Sequence, residues 1–395
     1  MGIIMGIILR EVMNQFRDME VTLIAGNNGI YNMVTWIHMV ENVELATFLE
    51  GGELAVTTGI GIGEGVSLFD IVKGAYDNHA SGMIINLGPY IEEVTPEILE
   101  FANKHDFPVF QVPWKIYMAE IMRMITHEIS ISEMSSLELE TAMKNAIFMP
   151  SQTELYLEQL TNKMFDKEWK YRIGILKVFE NNEQKELAKK GMLQNKNILQ
   201  TILRHNFKHT VVMIGNDEII LAMANYGLEE IGQILDYAKN QFFSNLSQEM
   251  YVRGTVGGEC SGIGNIYKSY QQAKKIFDII CEDKGEEFVF YDTVGIHKLL
   301  LAIDDNEVIT QYIGDIIDPL RIQDEVNQTD LLPTLKCYLK HSGSVKEAAA
   351  ELFVHRNTIN YKVKKIEELL GASLSSVEMQ TKLNLGLLLY DMYAK

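Results

Sequence analysis

The 395-residue sequence predicts a multidomain fold of mixed class, two α/β blocks followed by an all-α carboxyl-terminal region with a helix-turn-helix. Three observations carry this. Residues 53–114 alternate short apolar runs with helical patterns, the order that gives parallel strands and right-handed crossovers. Residues 168–292 alternate again, this time with a hairpin signal. Residues 343–371, GSVKEAAAELFVHRNTINYKVKKIEELLG, hold two helical stripes joined by a tight turn. The length and the 47% hydrophobic content suit two or three domains with real cores.

The first block opens on MGIIMGIILREVMNQF, whose apolar run is broken by Arg10 and Glu11. It has no basic leader region or cleavage site, is too short to span a bilayer, and reads as an amphipathic helix. Trp36-Ile37-His38-Met39 alternates like a strand, with Trp36 and His38 on one face. Glu53–Gly59 is an apolar strand ending in a glycine-rich turn, residues 67–79 form a helix, and Gly82–Gly88 is a second strand with the same ending. Residues 95–105 form a helix capped by Thr95 with Pro96 in its first turn, and Pro108–Pro113 is a third strand. Ligands of such sheets collect beyond the carboxyl ends of the strands. The candidate ligand residues are therefore Thr57, Thr58, Gly59, Asn86, Gly88 and Trp114, joined by Trp36, His38 and Glu41 from the preceding segment. The competing reading is structural: the strand-end residues only close the strands, His38 is hydrogen-bonded inside the domain and Glu41 fixes a turn. The run Gly59-Ile60-Gly61-Ile62-Gly63-Glu64-Gly65 has neither the dinucleotide spacing nor a phosphate-loop lysine.

Residues 115–165 are helical by pattern until Pro150. Ile116, Ala119, Met122, Ile125 and Ile129 follow a repeat near 3.5, suited to a connector that also pairs two protomers. Its methionines suit adaptable packing. In the second block, Tyr171–Val178 is a strand, and Val211–Ile214 and Ile219–Ala222 form a hairpin around Gly215-Asn216-Asp217-Glu218. Tyr251–Gly258 is another strand, followed by a helix over Tyr267–Ile280. Beyond Asp292 the pattern is helical: Val294–Ala302, Glu307–Ile317, Asp330–His341 and an apolar closing helix, Ser376–Tyr393, that covers the domain or joins a dimer interface.

Within residues 343–371, Val345, Ala348, Ala349 and Leu352 mark one apolar face, and Ser344 with Glu347 reads as a capping box. Ile359, Val363, Ile366 and Leu370 mark the second helix, Gly371 ends it, and Val354 is expected to plug the gap between the two. The outer face carries Arg356, Asn357, Asn360 and Lys364, residue types that pair with guanine and adenine edges in the major groove. Tyr361, Lys362 and Lys365 flank it as phosphate contacts. Ser344, His355 and Thr358 complete the candidate DNA-contact set.

Charge sharpens the picture. The chain has net charge −19, yet residues 331–371 hold seven Lys/Arg against four Asp/Glu. An acidic body with one basic element argues against a nonspecific nucleic-acid coat. Cys260, Cys281 and Cys337 show no paired spacing, which implies neither disulfides nor a zinc site and fits a reducing cytosol. No cofactor or metal set is read from the sequence.

Three motifs together resemble one family. Val354-His355-Arg356-Asn357-Thr358-Ile359-Asn360-Tyr361 resembles the carboxyl-terminal helix-turn-helix of PucR-type (purine catabolism) regulators, with Asn360 where that family often has Arg. Val34–Gly59, VTWIHMVENVELATFLEGGELAVTTG, resembles the amino-terminal sensory domain of the same family. Residues 168–292 resemble its degenerate GGDEF-like domain. The resemblance implies four parts: a ligand-sensing α/β domain (1–128), a helical connector (129–165), a degenerate GGDEF-like domain (166–292) and a helix-turn-helix domain (293–395). It implies a cytoplasmic, one-component regulator of nitrogen or purine catabolism genes. Such a regulator binds an operator as a homodimer or higher homo-oligomer and answers to a purine derivative, ureide, amino acid or organic acid. The alternative is a nucleotide-using enzyme of diguanylate-cyclase type on the central domain. Against it, Asn216 replaces the second glycine of the signature turn, and Lys177 stands near the place of a metal-binding aspartate.

Overall fold

The computed structural model describes residues 6–16, 19–63, 65–180, 203, 206–215, 218–243, 250–280, 287–303 and 305–393. The chain divides into two compact units, Met1–Gln271 and Gln272–Lys395.

The first unit begins with β1 (Ile7–Ile8), α1 (Leu9–Phe16), β2 (Thr22–Ala25), β3 (Met33–Val34), β4 (Trp36–Met39) and α2 (Val43–Ala46). There follow β5 (Glu53–Thr57), α3 (Leu68–Asp77), β6 (Gly82–Leu87), α4 (Pro96–Lys104), β7 (Val109–Pro113) and α5 (Met118–Phe148). A five-stranded sheet has the order β2-β7-β6-β5-β4. β4, β5, β6 and β7 are parallel and β2 is an antiparallel edge. The predicted parallel core is thus present, widened by one strand on each side.

The inner strands read as unbroken apolar runs because both sheet faces are covered. Ala55, Met83, Ile85 and Val109 pack with Ile71, Val72, Ala75 and Ile98 of α3 and α4. Leu54, Val56, Ile84, Phe110 and Val112 pack with Leu9, Val12, Phe16, Ile121 and Ile125 of α1 and α5. α3 starts at a full capping box, Ser67 with Asp70. α4 has Thr95 at its cap position without a side-chain bond, and Pro96 in its first turn.

α5 is one helix of 31 residues. Its first half buries Met118, Ile121, Ile125 and Ile129, and its second half Leu139, Met143 and Ile147. It stops at Phe148, before Pro150, whose missing N–H and fixed φ disfavour continuation. After α6 (Leu157–Asn162), a second sheet contains β8 (Lys170–Glu180), β9 (Thr210–Ile214), β10 (Ile219–Ala224), β11 (Met250–Val256) and β12 (Cys260–Ser261). β8 is flanked by β10 and β11, both antiparallel to it. β9 and β10 form the predicted hairpin with Ile214 opposite Ile219. Asn216 and Asp217, in its turn, lie outside the described residues, as do Glu64 and Cys281.

The second unit is helical over His297–Leu301, Asn306–Ile316, Asp318–Asn327, Leu331–Lys340, Val345–Glu351, Arg356–Leu370 and Val377–Tyr393. Asp318–Asn327 was not foreseen, because its composition is mostly polar and only Leu320 is buried. Ile309, Ile313, Ile316, Leu335, Ile359, Ile366, Leu383 and Leu387 share one core. The closing helix covers this core, and Gly386 lets it approach closely: a Cβ there would lie 3.2 Å from Ile316 Cγ2. Val354 does not plug the helix gap. It is 36% exposed, while Ile359 and Ile366 are fully buried and fill that space. No described helix is long and apolar enough to cross a membrane.

Candidate nucleic-acid interface and ligand site

The two short helices of the predicted motif are Val345–Glu351 and Arg356–Leu370. Ser344 Oγ accepts from the Glu347 amide at 3.4 Å, the forward half of the capping box. The Glu347 carboxylate lies 3.4 Å from His341 Nδ1. The turn contains Phe353 at φ 54° and 96% exposed, a residue the sequence pattern did not single out. A bulky side chain with positive φ is unusual, and this one projects into solvent beside the second helix. His355 caps that helix, its Nδ1 accepting from the Asn357 amide at 3.2 Å. Gly371 ends it at φ 64°, the left-handed position foreseen for it.

With Ile359 and Ile366 turned inward, the rest of the helix surface is open. Arg356, Asn357, Thr358, Asn360, Tyr361 and Lys364 are all exposed, and Lys365 is half-buried. Lys362 differs from its expected role. Only 14% of its side chain is exposed, and its ammonium pairs with Asp330, ahead of the helix Leu331–Lys340. That helix is anchored in turn by Asp324, whose carboxylate accepts from the Leu331 and Leu332 amides at 2.7 and 2.8 Å.

In the first unit the candidate ligand residues separate into three places. Glu41 gathers the end of β5. Its carboxylate accepts from Thr57 Oγ1 (3.1 Å), the Thr58 amide (3.0 Å), Thr58 Oγ1 (2.7 Å) and the Gly59 amide (3.0 Å). The glycine run closes over it: Gly59 has φ 79°, and a Cβ on Gly61 would sit 2.0 Å from the Glu41 carbonyl oxygen. Close backbone approach accounts for these two glycines without a phosphate.

Asn86 lies on the other sheet face. Thr57 is paired with Ile85, on the α3 side, whereas Asn86 follows Ile84 onto the α5 side. Asn86 is 2% exposed and donates to the Ile116 carbonyl at 3.4 Å, while its Oδ1 has no partner. Gly88 makes room for Trp114, since a Cβ would meet the indole at 2.3 Å. Trp114 stacks edge-on with Tyr90 at 6.0 Å, and both rings are about half exposed. Trp36 is at the other end of the sheet, opposite Glu53, and His38 is opposite Ala55 in mid-strand.

Two cavities border the sheet. One of about 540 Å³ runs along its carboxyl edge past Thr22, Leu87, Gln111 and Pro113. The other, about 480 Å³, lies at the amino ends of β6 and β7, between Asn32, Tyr76, His79, Ser81, His105 and Asp106. The groups of the second come from three separate segments with no common motif, so the sequence pattern does not announce it.

In the central sheet, Lys177 Nζ is 3.8 Å from Glu218 Oε2, with both side chains largely buried. Tyr270 OH donates to Glu218 Oε1 at 3.2 Å. An ammonium thus stands beside the carboxylate at the end of the hairpin turn.

Residues 12–129 match the model of the purine catabolism regulatory protein-like family, residues 165–279 that of the GGDEF-like domain, and residues 331–389 that of the PucR carboxyl-terminal helix-turn-helix domain. Among curated proteins, the chain is 28% identical to the proline-responsive transcriptional activator PutR of Bacillus subtilis (strain 168), over 47% of this chain and 46% of that one. It is 27% identical to the purine catabolism regulatory protein of the same organism, over 44% of this chain and 33% of the relative. With the DNA-binding transcriptional activator AdeR, also from that organism, identity is 24% over 34% of this chain and 33% of the relative. The chain spans about half the length of the first of these relatives and about a third of the other two. The chain thus carries a PucR-type amino-terminal domain, a GGDEF-like domain and a PucR-type carboxyl-terminal helix-turn-helix domain, in that order.

Proposed function

We propose that this chain is a one-component transcription regulator of nitrogen or purine catabolism genes. It binds operator DNA through the outer face of Arg356–Leu370 and a small effector through its amino-terminal domain. The observation that carries this is the open polar face of that helix, set on a fully buried Ile359/Ile366 stripe. Arg356, Asn357 and Asn360 read base edges. Tyr361, Lys364 and Lys365 meet backbone phosphates, with Ser344, His355 and Thr358 at the rim. Lys362 contributes by fixing the helix to Asp330. The test is a gel shift with the chain's own upstream DNA, with and without candidate effectors. Binding no tighter than to scrambled DNA would refute it.

For the effector, the support at the carboxyl edge is the buried Asn86 Oδ1 without a partner, beside the half-exposed Trp114 and Tyr90 rings. A ligand donor fits the first and a planar ring the second. Glu41, Thr57, Thr58 and Gly59 serve as the scaffold of that edge. A second reading places the effector in the 480 Å³ amino-end cavity, favoured by its two histidines and Asp106. Thermal-shift screening of purine intermediates, ureides, amino acids and organic acids separates them. Asn86→Ala abolishes the shift on the first reading and His105→Ala on the second.

The protein acts as a homodimer. One recognition helix covers too few base pairs for useful specificity, so two half-sites are needed. Ile131, Met134 and Leu137 of α5 are about half exposed or more and recur at three-residue spacing, a surface suited to a second copy. Light scattering at micromolar concentration is expected to give at least a dimer, and a monomer that operator does not convert would contradict this.

The central domain works as a relay without nucleotide chemistry. The Lys177–Glu218 pair supports this, since a buried ammonium beside the carboxylate opposes a divalent cation. Asn216→Gly is accordingly expected to yield no cyclic dinucleotide from GTP. Product above a no-protein blank would return the enzyme alternative to the front.

A further inference from the structure

Cys337, His341 and Glu351 converge where the helix Leu331–Lys340 meets the first helix of the helix-turn-helix. The Cys337 sulfur, a ring nitrogen of His341 and a carboxylate oxygen of Glu351 all lie within 4.8 Å of one another. Cys337 is 5% exposed, while His341 and Glu351 open toward solvent. Cys337 is in the last turns of the helix Leu331–Lys340 and His341 is its C-cap, an i, i+4 spacing that puts both on one side. The third comes from the following helix. A search for paired cysteines passes over such a set, because it has one cysteine and draws its third donor across a turn.

We propose that these three side chains form a site for a zinc-type divalent cation, which clamps the helix-turn-helix to the helix beneath it. Tetrahedral zinc bonded to sulfur, nitrogen and oxygen at about 2.0–2.3 Å needs its donors about 3–4 Å apart, so small side-chain movements close the site. His341 Nε2 is 2.6 Å from Glu351 Oε2, and this nitrogen shares the metal with that carboxylate once the pair opens slightly. The other nitrogen, Nδ1, is 3.4 Å from Glu347 Oε2. A carboxylate on the far nitrogen of a metal-bound imidazole fixes its tautomer and raises its basicity. Water takes the fourth position. Thiolate with imidazole selects a zinc-type ion over magnesium or calcium, which take oxygen donors.

Without the ion, burial pushes the Cys337 thiol above its ordinary range. On binding, sulfur gives its proton to water and its electron pair to the metal. Lys340 is the competing cation: its Nζ is 2.9 and 3.0 Å from the two Glu351 oxygens. Metal entry displaces it. Because Glu351 and Glu347 belong to the first helix of the motif, and Ser344 caps that helix, occupancy stiffens the platform from which the recognition helix projects.

The experiment uses the full chain, stripped with a chelator and desalted, then titrated with cobalt(II) as a spectroscopic stand-in. One equivalent is expected to give a thiolate-to-cobalt charge-transfer band, which zinc then bleaches. Cys337→Ser and His341→Ala should each abolish the band. Glu347→Gln should weaken binding by about 10-fold, as loss of a supporting carboxylate does. Lys340→Ala should tighten binding, an effect that a purely hydrogen-bonded network would not produce. No band with cobalt in excess overturns the site. A band that persists in both Cys337→Ser and His341→Ala overturns it too, by assigning the metal to another cysteine. If Cys337→Ser fails to fold by circular dichroism, His341→Ala decides alone.

Discussion

Arg356→Ala is expected to lower operator affinity by about 10- to 100-fold for each recognition helix engaged, with no change in melting temperature. The side chain is in the first turn of Arg356–Leu370 and exposed, beside rather than under the buried Ile359. Loss of one bidentate base contact removes about 1–3 kcal/mol, and each factor of ten is about 1.4 kcal/mol. A dimer on two half-sites loses the contact twice, so the effect on the assembled complex is larger still. Folding is untouched because exposed substitutions away from caps and cores usually stay within about 0.5 kcal/mol. The loss should be greatest at one base position and small on scrambled DNA. Lys365→Ala supplies the contrast: a phosphate contact weakens all sequences alike and lowers the salt slope by about one. Unchanged operator affinity in Arg356→Ala, measured by fluorescence anisotropy, would mean that this face does not read DNA.

The sequence made much of this visible, for a physical reason. Local periodicity reports burial, and the stripes Val345/Ala348/Ala349 and Ile359/Ile366 are local. Parallel strands buried on two faces are likewise legible as apolar runs with glycine-rich ends. What stayed hidden depends on partners far apart in sequence. Nothing near Lys362 announces that Asp330 will hold it. Val354 reads as a core residue by composition, but the turn carries it outward with Phe353. Thr57 and Asn86 both end strands, yet the pleat sends them to opposite faces, a difference set by register rather than composition. The Lys177–Glu218 pair could be suspected only from the charge of Lys177; its contact joins β8 to the residue just ahead of the neighbouring β10. The Cys337, His341 and Glu351 cluster needs the helix-turn-helix to be folded before its donors meet.

Glu41 gives the second large effect, and it separates scaffold from ligand chemistry at the β5 edge. Glu41→Ala is expected to destabilise the amino-terminal domain by about 3 kcal/mol, because hydrogen bonds to charged groups contribute about 1.5–3 kcal/mol each and are not additive. The substitution strands the Thr58 and Gly59 amides and the Thr57 and Thr58 hydroxyls, all now held by one carboxylate. Thr57 is fully buried, so water cannot replace its partner without opening the edge. The Gly59 amide keeps a weaker acceptor in Thr57 Oγ1 at 3.2 Å, which limits the loss. At about 4 °C per kcal/mol for a domain between the 60–100 and 150–250 residue ranges, the corresponding unfolding transition falls by about 12 °C. Glu41→Gln should fall less, since one oxygen still accepts while the amide NH2 faces donors. The measurement is differential scanning calorimetry of the full chain with no small molecule present. A shift below about 2 °C would show that Glu41 is not the clasp of this edge and would free its carboxylate, with the two threonine hydroxyls, for an effector. A large shift without ligand leaves Asn86 and the Trp114–Tyr90 pair as the groups on that edge still open to one.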